Sequence, residues 1–333
     1  MRGRQHERMR RIDVTQGRGL LRSRSQLVRA GITERQLRDG VAAGTLRRVH
    51  RGTYVTGADW RELWPEGRHL IEVLGVAAAA PGAGPIFTHA SAAVIWGLPL
   101  WGHAPREVHT VLEGRRHTRE IAGVVRHQMA VDECHIVDVG GLRCTSLPRT
   151  ILDLARTAPL PAAVAAADAG LRSVAVQGHT QDADTAAVWR DELLALARPG
   201  LRGVRQARHV IEFADGRAQL PGESVSRVHL DTLGYRGLDL QVPVIGPDGD
   251  RYFMDFGFPR ARCFGEFDGT DKYLDPELLR AATTGDEVLR EKRREDDVRG
   301  VTGWGVVRWS GADIRTADAL ARRLAAFGIH PPG

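Results

Sequence analysis

Cysteine is scarce in this chain. The three that occur in 333 residues, Cys134, Cys144 and Cys263, are too few and too far apart for a disulfide framework, and none forms a CxxC pair. A reducing compartment, the cytoplasm, is therefore expected. Lysine is scarcer still: Lys272 and Lys292 are the two present, so almost all positive charge is arginine. Arginine stays protonated, whereas lysine is a compact charge with an adjustable pKa. Long apolar runs are also missing. The most apolar stretch, Leu70 to Phe87, is interrupted by Glu72, Pro81 and Pro85, which excludes a helical membrane span there and leaves no membrane partner expected. The arginine-rich start runs into no apolar segment, so no secretory signal is expected.

What is present is an ordinary globular composition, 42% hydrophobic and 26% charged, in a length that suits two or three domains. Net charge is +6, which favours polyanions, and it is unevenly spread. Residues 1–51 hold fourteen arginines against four acidic residues, a net +10, leaving −4 for the rest. Within this basic region Ser23 to Ala30 reads as a short helix closed by Gly31. Thr33 and Gln36 match a capping box opening a second helix, with Leu37 and Val41 as its inner face and Gly44 as its end. Residues 46–49 and 53–55 then flank His50-Arg51-Gly52 as a hairpin. Helix, turn, helix and hairpin predict a winged helix-turn-helix over 1–58. Its second helix would present Arg35 and Arg38, and its hairpin Arg47, Arg48 and Arg51, as donors to the phosphates and guanine edges of double-stranded DNA.

Residues 59–200 read as a mixed middle domain. Helices are expected at 65–80, 87–96 and from Thr150 onward, with strands at 108–112, 124–127 and 142–145. His89, His109, His127 and His135 show no metal-ligand spacing and read as core or surface polar groups. Residues 174–185 read as a linker or loop.

Residues 201–333 carry the chemistry. Their pattern is helix, three strands, helix, strand, helix. Asp255 falls in one strand and Glu266 and Asp268 in the next, where alternation puts the last two on one face. Converging carboxylates repel one another unless a cation lies between them, and a hard divalent ion such as Mg²⁺ is the natural occupant, Asp255 and Glu266 being its first ligands. Such an ion could activate water against a phosphodiester. In the charged helix 286–299, Val288, Leu289, Lys292 and Asp296 share a stripe, so Lys292 either faces the sheet or belongs to a solvated ion-paired face.

The C-terminal residues resemble the PD-(D/E)XK nuclease fold in its very-short-patch-repair-like branch. The likeness rests on Glu223 at the head of the first helix, Asp255, the run Glu266-Phe267-Asp268-Gly269, Lys272-Tyr273, and residues 291–296 leading into Trp304–Trp309. It implies a restriction-endonuclease-like αβββαβ domain, with Glu223, Asp255, Glu266, Asp268, Lys272 and Lys292 as its catalytic set. The sequence departs from that family where its E-x-K motif has lysine, here Asp268. Either Lys272 or Lys292 supplies the missing cation, or the domain does not cleave. The N-terminal module together with Ser91–Leu98 and Thr145–Ala155 resembles AbiEi-type antitoxins of type IV toxin–antitoxin systems, a common actinobacterial arrangement, and implies a DNA-binding transcriptional regulator. A metal-dependent endonuclease targeted by the front module is the alternative. Oligomeric state is left open, a homodimer being one option. The expected fold class is thus an α+β or α/β multidomain chain.

Overall fold

A computed structural model describes residues 10–112, 121–236, 238–269 and 285–331, with the side chains of 285–288 left aside. The chain is mixed α+β and divides into two compact units, Met1–Leu154 and Ala155–Gly333. No helix among the described residues is long and apolar enough to cross a membrane.

The first unit opens with three short helices, α1 (Val14–Leu20), α2 (Arg24–Arg29) and α3 (Glu34–Ala42). Each starts with the same device. Asp13, Ser23 and Thr33 accept the N–H of Gln16, Gln26 and Gln36, whose side chains accept the cap residue's own N–H in return. Six donors that a helix start leaves unpaired are thereby satisfied. The ends of α2 and α3 are also built alike. Gly31 and Gly44 take left-handed φ of 87° and 71°, and the following N–H groups of Ile32 and Thr45 return to Leu27 and Gly40 at 3.1 and 3.0 Å, a Schellman closure that glycine makes inexpensive. Leu37 is buried on the inner face of α3, but Val41 is 38% exposed: one residue before the end of the helix, it lies beyond the core's reach.

Strands β1 (Arg22–Ser23), β2 (Leu46–His50) and β3 (Thr53–Thr56) form a sheet in the order β1-β3-β2. After α4 (Gly57–Glu62), helix α5 (Pro65–Ala79) backs this sheet. Val55, Leu63 and Ile71 are the buried centre, surrounded by Ile12, Leu20, Leu21, Val49 and Trp60. Gly75 of α5 lets the hairpin approach closely, since a Cβ there would stand 2.9 Å from Val49.

The remainder of this unit is α6 (His89–Ile95), buried at every position, parallel strands β4 (Val108–Leu112) and β5 (Val124–Gln128), and the hairpin β6 (Ile136–Val139) with β7 (Leu142–Thr145). The helix expected from residue 87 begins two residues later. Phe87 is instead bridged to both Thr110 and Cys144, so the pull of two strands overrides the local helical pattern. Helix α7 (Leu147–Thr157) then carries the chain into the second unit.

There, α8 (Leu160–Ala175) is an alanine-rich buried helix, followed by the two-residue strands β8 (Val176–Gln177) and β9 (Thr180–Gln181) and by α9 (Ala183–Leu196). The stretch read as a linker is therefore mostly a tight hairpin, turned at Gly178 with φ 60°. After α10 (Val204–Phe213) come α11 (Pro221–Thr232), β10 (Asp239–Ile245), β11 (Arg251–Phe258), β12 (Cys263–Asp268), α12 (Gly285–Thr302), β13 (Gly305–Ser310) and α13 (Ala317–Ala325). The four strands make one sheet in sequence order, antiparallel except for the β12–β13 pair. On one face, Ser226 of α11 accepts the Trp309 indole N–H at 2.8 Å, and Trp309 packs against Phe256. On the other, Val298 of α12 closes a cluster of Val244, Met254, Phe264 and Val306. Both faces being covered, the charged groups near the sheet must find partners inside.

Candidate carboxylate site and arginine face

Asp255 lies where the sheet comes apart. The β11–β12 ladder runs from Phe258↔Cys263 to Phe256↔Gly265 and stops. One residue further, the Asp255 carboxylate itself accepts the Phe267 N–H at 2.9 Å, replacing a backbone acceptor. On the other side β10 is bent as well. Gln241, opposite Asp255, has φ 50°, a conformation disfavoured for a residue with a Cβ. Its amide donates to Asp255 at 3.3 Å and lies 3.5 Å from Glu223. Glu223, in the first turn of α11, also accepts the N–H groups of Gln219 and Leu220 at 2.9 and 3.2 Å.

Glu266 is engaged differently. One oxygen accepts Arg294 of α12 at 2.6 Å, and the other meets Arg308 of β13 at 3.1 Å. Arg308 further pairs with Glu291 and Glu295 at 2.8 and 3.4 Å. Parallel pairing of Glu266 with Arg308 puts these two side chains on one face, and Arg294 descends from the helix packed above it. Asp268 ends β12 beside Ser310, and Lys272 lies outside the described residues. Lys292 is exposed. Of the two alternatives for it, the solvated face is the one found: the residues of α12 turned to the sheet are Arg294 and Val298.

The electrostatics join Glu223, Asp255 and Glu266. Burial, then the Asp255 charge, pushes the Glu223 carboxyl well up. Burial also pushes Asp255 up, to about 6, with Glu266 adding to it and the Phe267 N–H opposing. Glu266 is raised by burial and drawn back by Arg294 and Arg308. Neither Asp255 nor Glu223 has an ion-pair partner among the described residues. The strands expected around Asp255, Glu266 and Asp268 are found, but instead of meeting at one point Asp255 is tied through Gln241 to Glu223 and Glu266 to Arg294 and Arg308, three partners that sequence reasoning missed. Only the unusual Gln within an apolar strand carried any signal, since nothing marks one arginine of a charged helix as inward-facing.

The five arginines expected to meet DNA, all in the first unit, present a plainer picture. Arg35, Arg38, Arg47, Arg48 and Arg51 are all exposed. Arg35 is 3.8 Å from Asp39 on the same helix, a contact open to water on both sides and worth little. Arg47 lies over the Trp60 ring at 4.8 Å, which orders its guanidinium and leaves its edge free to donate.

The histidines read as unrelated polar groups come together. His89, His109 and His127 place one ring nitrogen each within 4.8 Å of the others. The linear spacing holds no hint of this, because strand pairing and the start of α6 bring them together.

No family model matches the chain. It is 28% identical over 220 residues to an uncharacterized protein of Mycobacterium tuberculosis, Rv2248 in strain ATCC 25618 / H37Rv and MT2308 in strain CDC 1551 / Oshkosh. The aligned part is 66% of this chain and 72% of the relative.

Proposed function

We propose that this chain is a DNA-binding transcriptional regulator of the AbiEi antitoxin type, with a winged helix-turn-helix at its front and a C-terminal domain of the PD-(D/E)XK nuclease type. The observation that carries the reading is that α3 and the β2–β3 hairpin expose Arg35, Arg38, Arg47, Arg48 and Arg51, in the segment that holds the chain's excess of positive over negative charge. The helix N-terminus is fixed by its cap, so Arg35 and Arg38 stand on a rigid element suited to a major groove, while the hairpin arginines suit the flanking phosphates. The order helix, three strands, helix, strand, helix among the described residues of the second unit supports the C-terminal assignment. A gel shift with the DNA upstream of its own gene, at several salt concentrations, tests the proposal. Affinity should fall as salt rises, and Arg35→Ala with Arg38→Ala should weaken the preference for that DNA over unrelated sequence. Binding indifferent to both salt and sequence overturns it. A nucleotidyltransferase gene beside this one would support the antitoxin role.

A second reading, a metal-dependent DNA endonuclease, is favoured by one observation. Burial raises the pKa of both Glu223 and Asp255, with the Asp255 charge adding to the first and the Glu266 charge to the second; Gln241 bridges the two, and neither has a countercharge at ion-pair distance among the described residues, a setting that suits a cation. Glu266 fits less well, since two guanidiniums already neutralise it. Asp255 would hold Mg²⁺ with Glu223 or Asp268 beside it, Glu266 joining as the second ligand only by giving up Arg294 or Arg308, and the ion would supply an acidified water. Nicking of plasmid DNA in Mg²⁺ or Mn²⁺, compared with Glu266→Ala and Asp255→Asn, decides it. Equal nicking by both variants places the activity elsewhere.

A further inference from the structure

We infer that His89, His109 and His127 form a binding site for a divalent transition-metal ion of the zinc class in the first unit. Three separate elements deliver the donors. His109 of β4 and His127 of β5 are both directed to one face, because His127 pairs with Val111, two residues along from His109. Their Nδ1 and Nε2 atoms are 2.8 Å apart. A shared proton holds them now, and an ion about 2.0–2.1 Å from each nitrogen takes the place of that proton with only a small parting of the rings. His89, first residue of α6, completes the set. Its ring stacks on His127 with centroids 4.0 Å apart and must turn to bring its nitrogen in, from within 4.8 Å of the others.

Two further features mark this as a built site. His89 has φ 50°, a strained conformation for a residue with a Cβ, held because the N–H of Thr88 donates to the His109 carbonyl at 3.1 Å. Such strain collects at ligand clamps. Behind the ring, His89 Nδ1 lies 3.2 Å from the Thr88 hydroxyl, which donates to the buried Asp153 carboxylate at 3.4 Å. A carboxylate reached through one hydroxyl resembles the outer partner that ligating histidines commonly have, here shared with Arg149 at 3.0 Å. His109 and His127 are each only partly buried, so an ion has a way in. Imidazole donors select Zn²⁺, Cu²⁺, Ni²⁺ or Co²⁺ over Mg²⁺ and Ca²⁺, and three of them leave a fourth position for water.

The test uses the full chain, freed of metal with a chelator that is then removed. Zn²⁺ should bind one per chain and raise the melting temperature, and Co²⁺ should give the visible spectrum of a nitrogen-ligated, low-coordinate ion without a thiolate band. His109→Ala should weaken Zn²⁺ binding at least 100-fold and abolish both signals. His127→Gln is the second variant, decisive should His109→Ala fail to fold by circular dichroism. His135→Ala and Cys134→Ser, outside the cluster, should bind as the parent does. Parent protein that takes up no Zn²⁺ below millimolar concentration overturns the inference, as does His127→Gln binding as tightly as the parent.

Discussion

Asp255 shows what a single buried charge costs in this fold. Its carboxyl is held up at about 6, against an ordinary 3.8. A carboxylate with a raised pKa favours the folded state while it is protonated, and that contribution is lost as pH rises through the folded value. Ionised at neutral pH, Asp255 is thus a burden. At about 1.4 kcal/mol per pKa unit, a rise from 3.8 to about 6 means that Asp255→Asn should stabilise the metal-free protein on the order of 3 kcal/mol at pH 7.5, and roughly half as much at pH 5. Thermal melts at both pH values in EDTA measure this, and added Mg²⁺ that narrows the difference would favour the endonuclease reading. Glu266→Ala should act the other way and lower stability. It leaves Arg294 and Arg308 without their shared acceptor, and with about a third of each side chain in water the loss is about 1–2 kcal/mol. At this scale the acidic residues were legible, because strand alternation is a local rule. Their cations were not. Lys292 and Arg294 differ by two positions on a helix charged all round, and only packing decides which of them turns inward.

At the scale of elements, the parts written in neighbouring residues were readable and the parts made by distant pairing were not. The capping box of Thr33 and Gln36 and the glycines ending α2 and α3 act within a few residues, and the structure has them where the sequence pattern puts them. The shortened α6 depends on partners far along the chain, Thr110 and Cys144 for Phe87. The same contrast orders two substitutions. Thr33→Ala removes one cap from α3, worth about 1 kcal/mol. Gly57→Ala should cost more, about 2–3 kcal/mol, because the new methyl would land on the Gly44 carbonyl oxygen, a backbone atom fixed by the closure of α3. Chemical denaturation of both variants tests the ranking. If Gly57→Ala proves as stable as Thr33→Ala, the close approach of α4 to the end of α3 is softer than drawn.

For the whole molecule, the division of charge was plain in the composition, while the meeting of His89, His109 and His127 was not, since it requires β4 beside β5 and both beside α6. The charge division also makes the last prediction quantitative. Beyond residue 51 the chain is net negative, so attraction to DNA must come from the front, and it should scale with the phosphates neutralised there. If the three exposed arginines of the hairpin reach phosphates, log affinity should fall with log salt at a slope of about −3. That is a loss of roughly 40-fold between 50 and 200 mM salt. Replacing Arg48 and Arg51 with alanine should flatten the slope by about 2 while lowering affinity for all sequences alike. Arg35→Ala, on the helix, should lower the affinity of the preferred DNA more than that of unrelated DNA. The two effects differ because a phosphate is the same at every step and a base edge is not. A slope unchanged in the Arg48 and Arg51 double variant would mean that the hairpin stays off the duplex, and the contact would then have to be sought among the basic helices of the second unit, beginning with Arg202, Arg205 and Arg208 around α10.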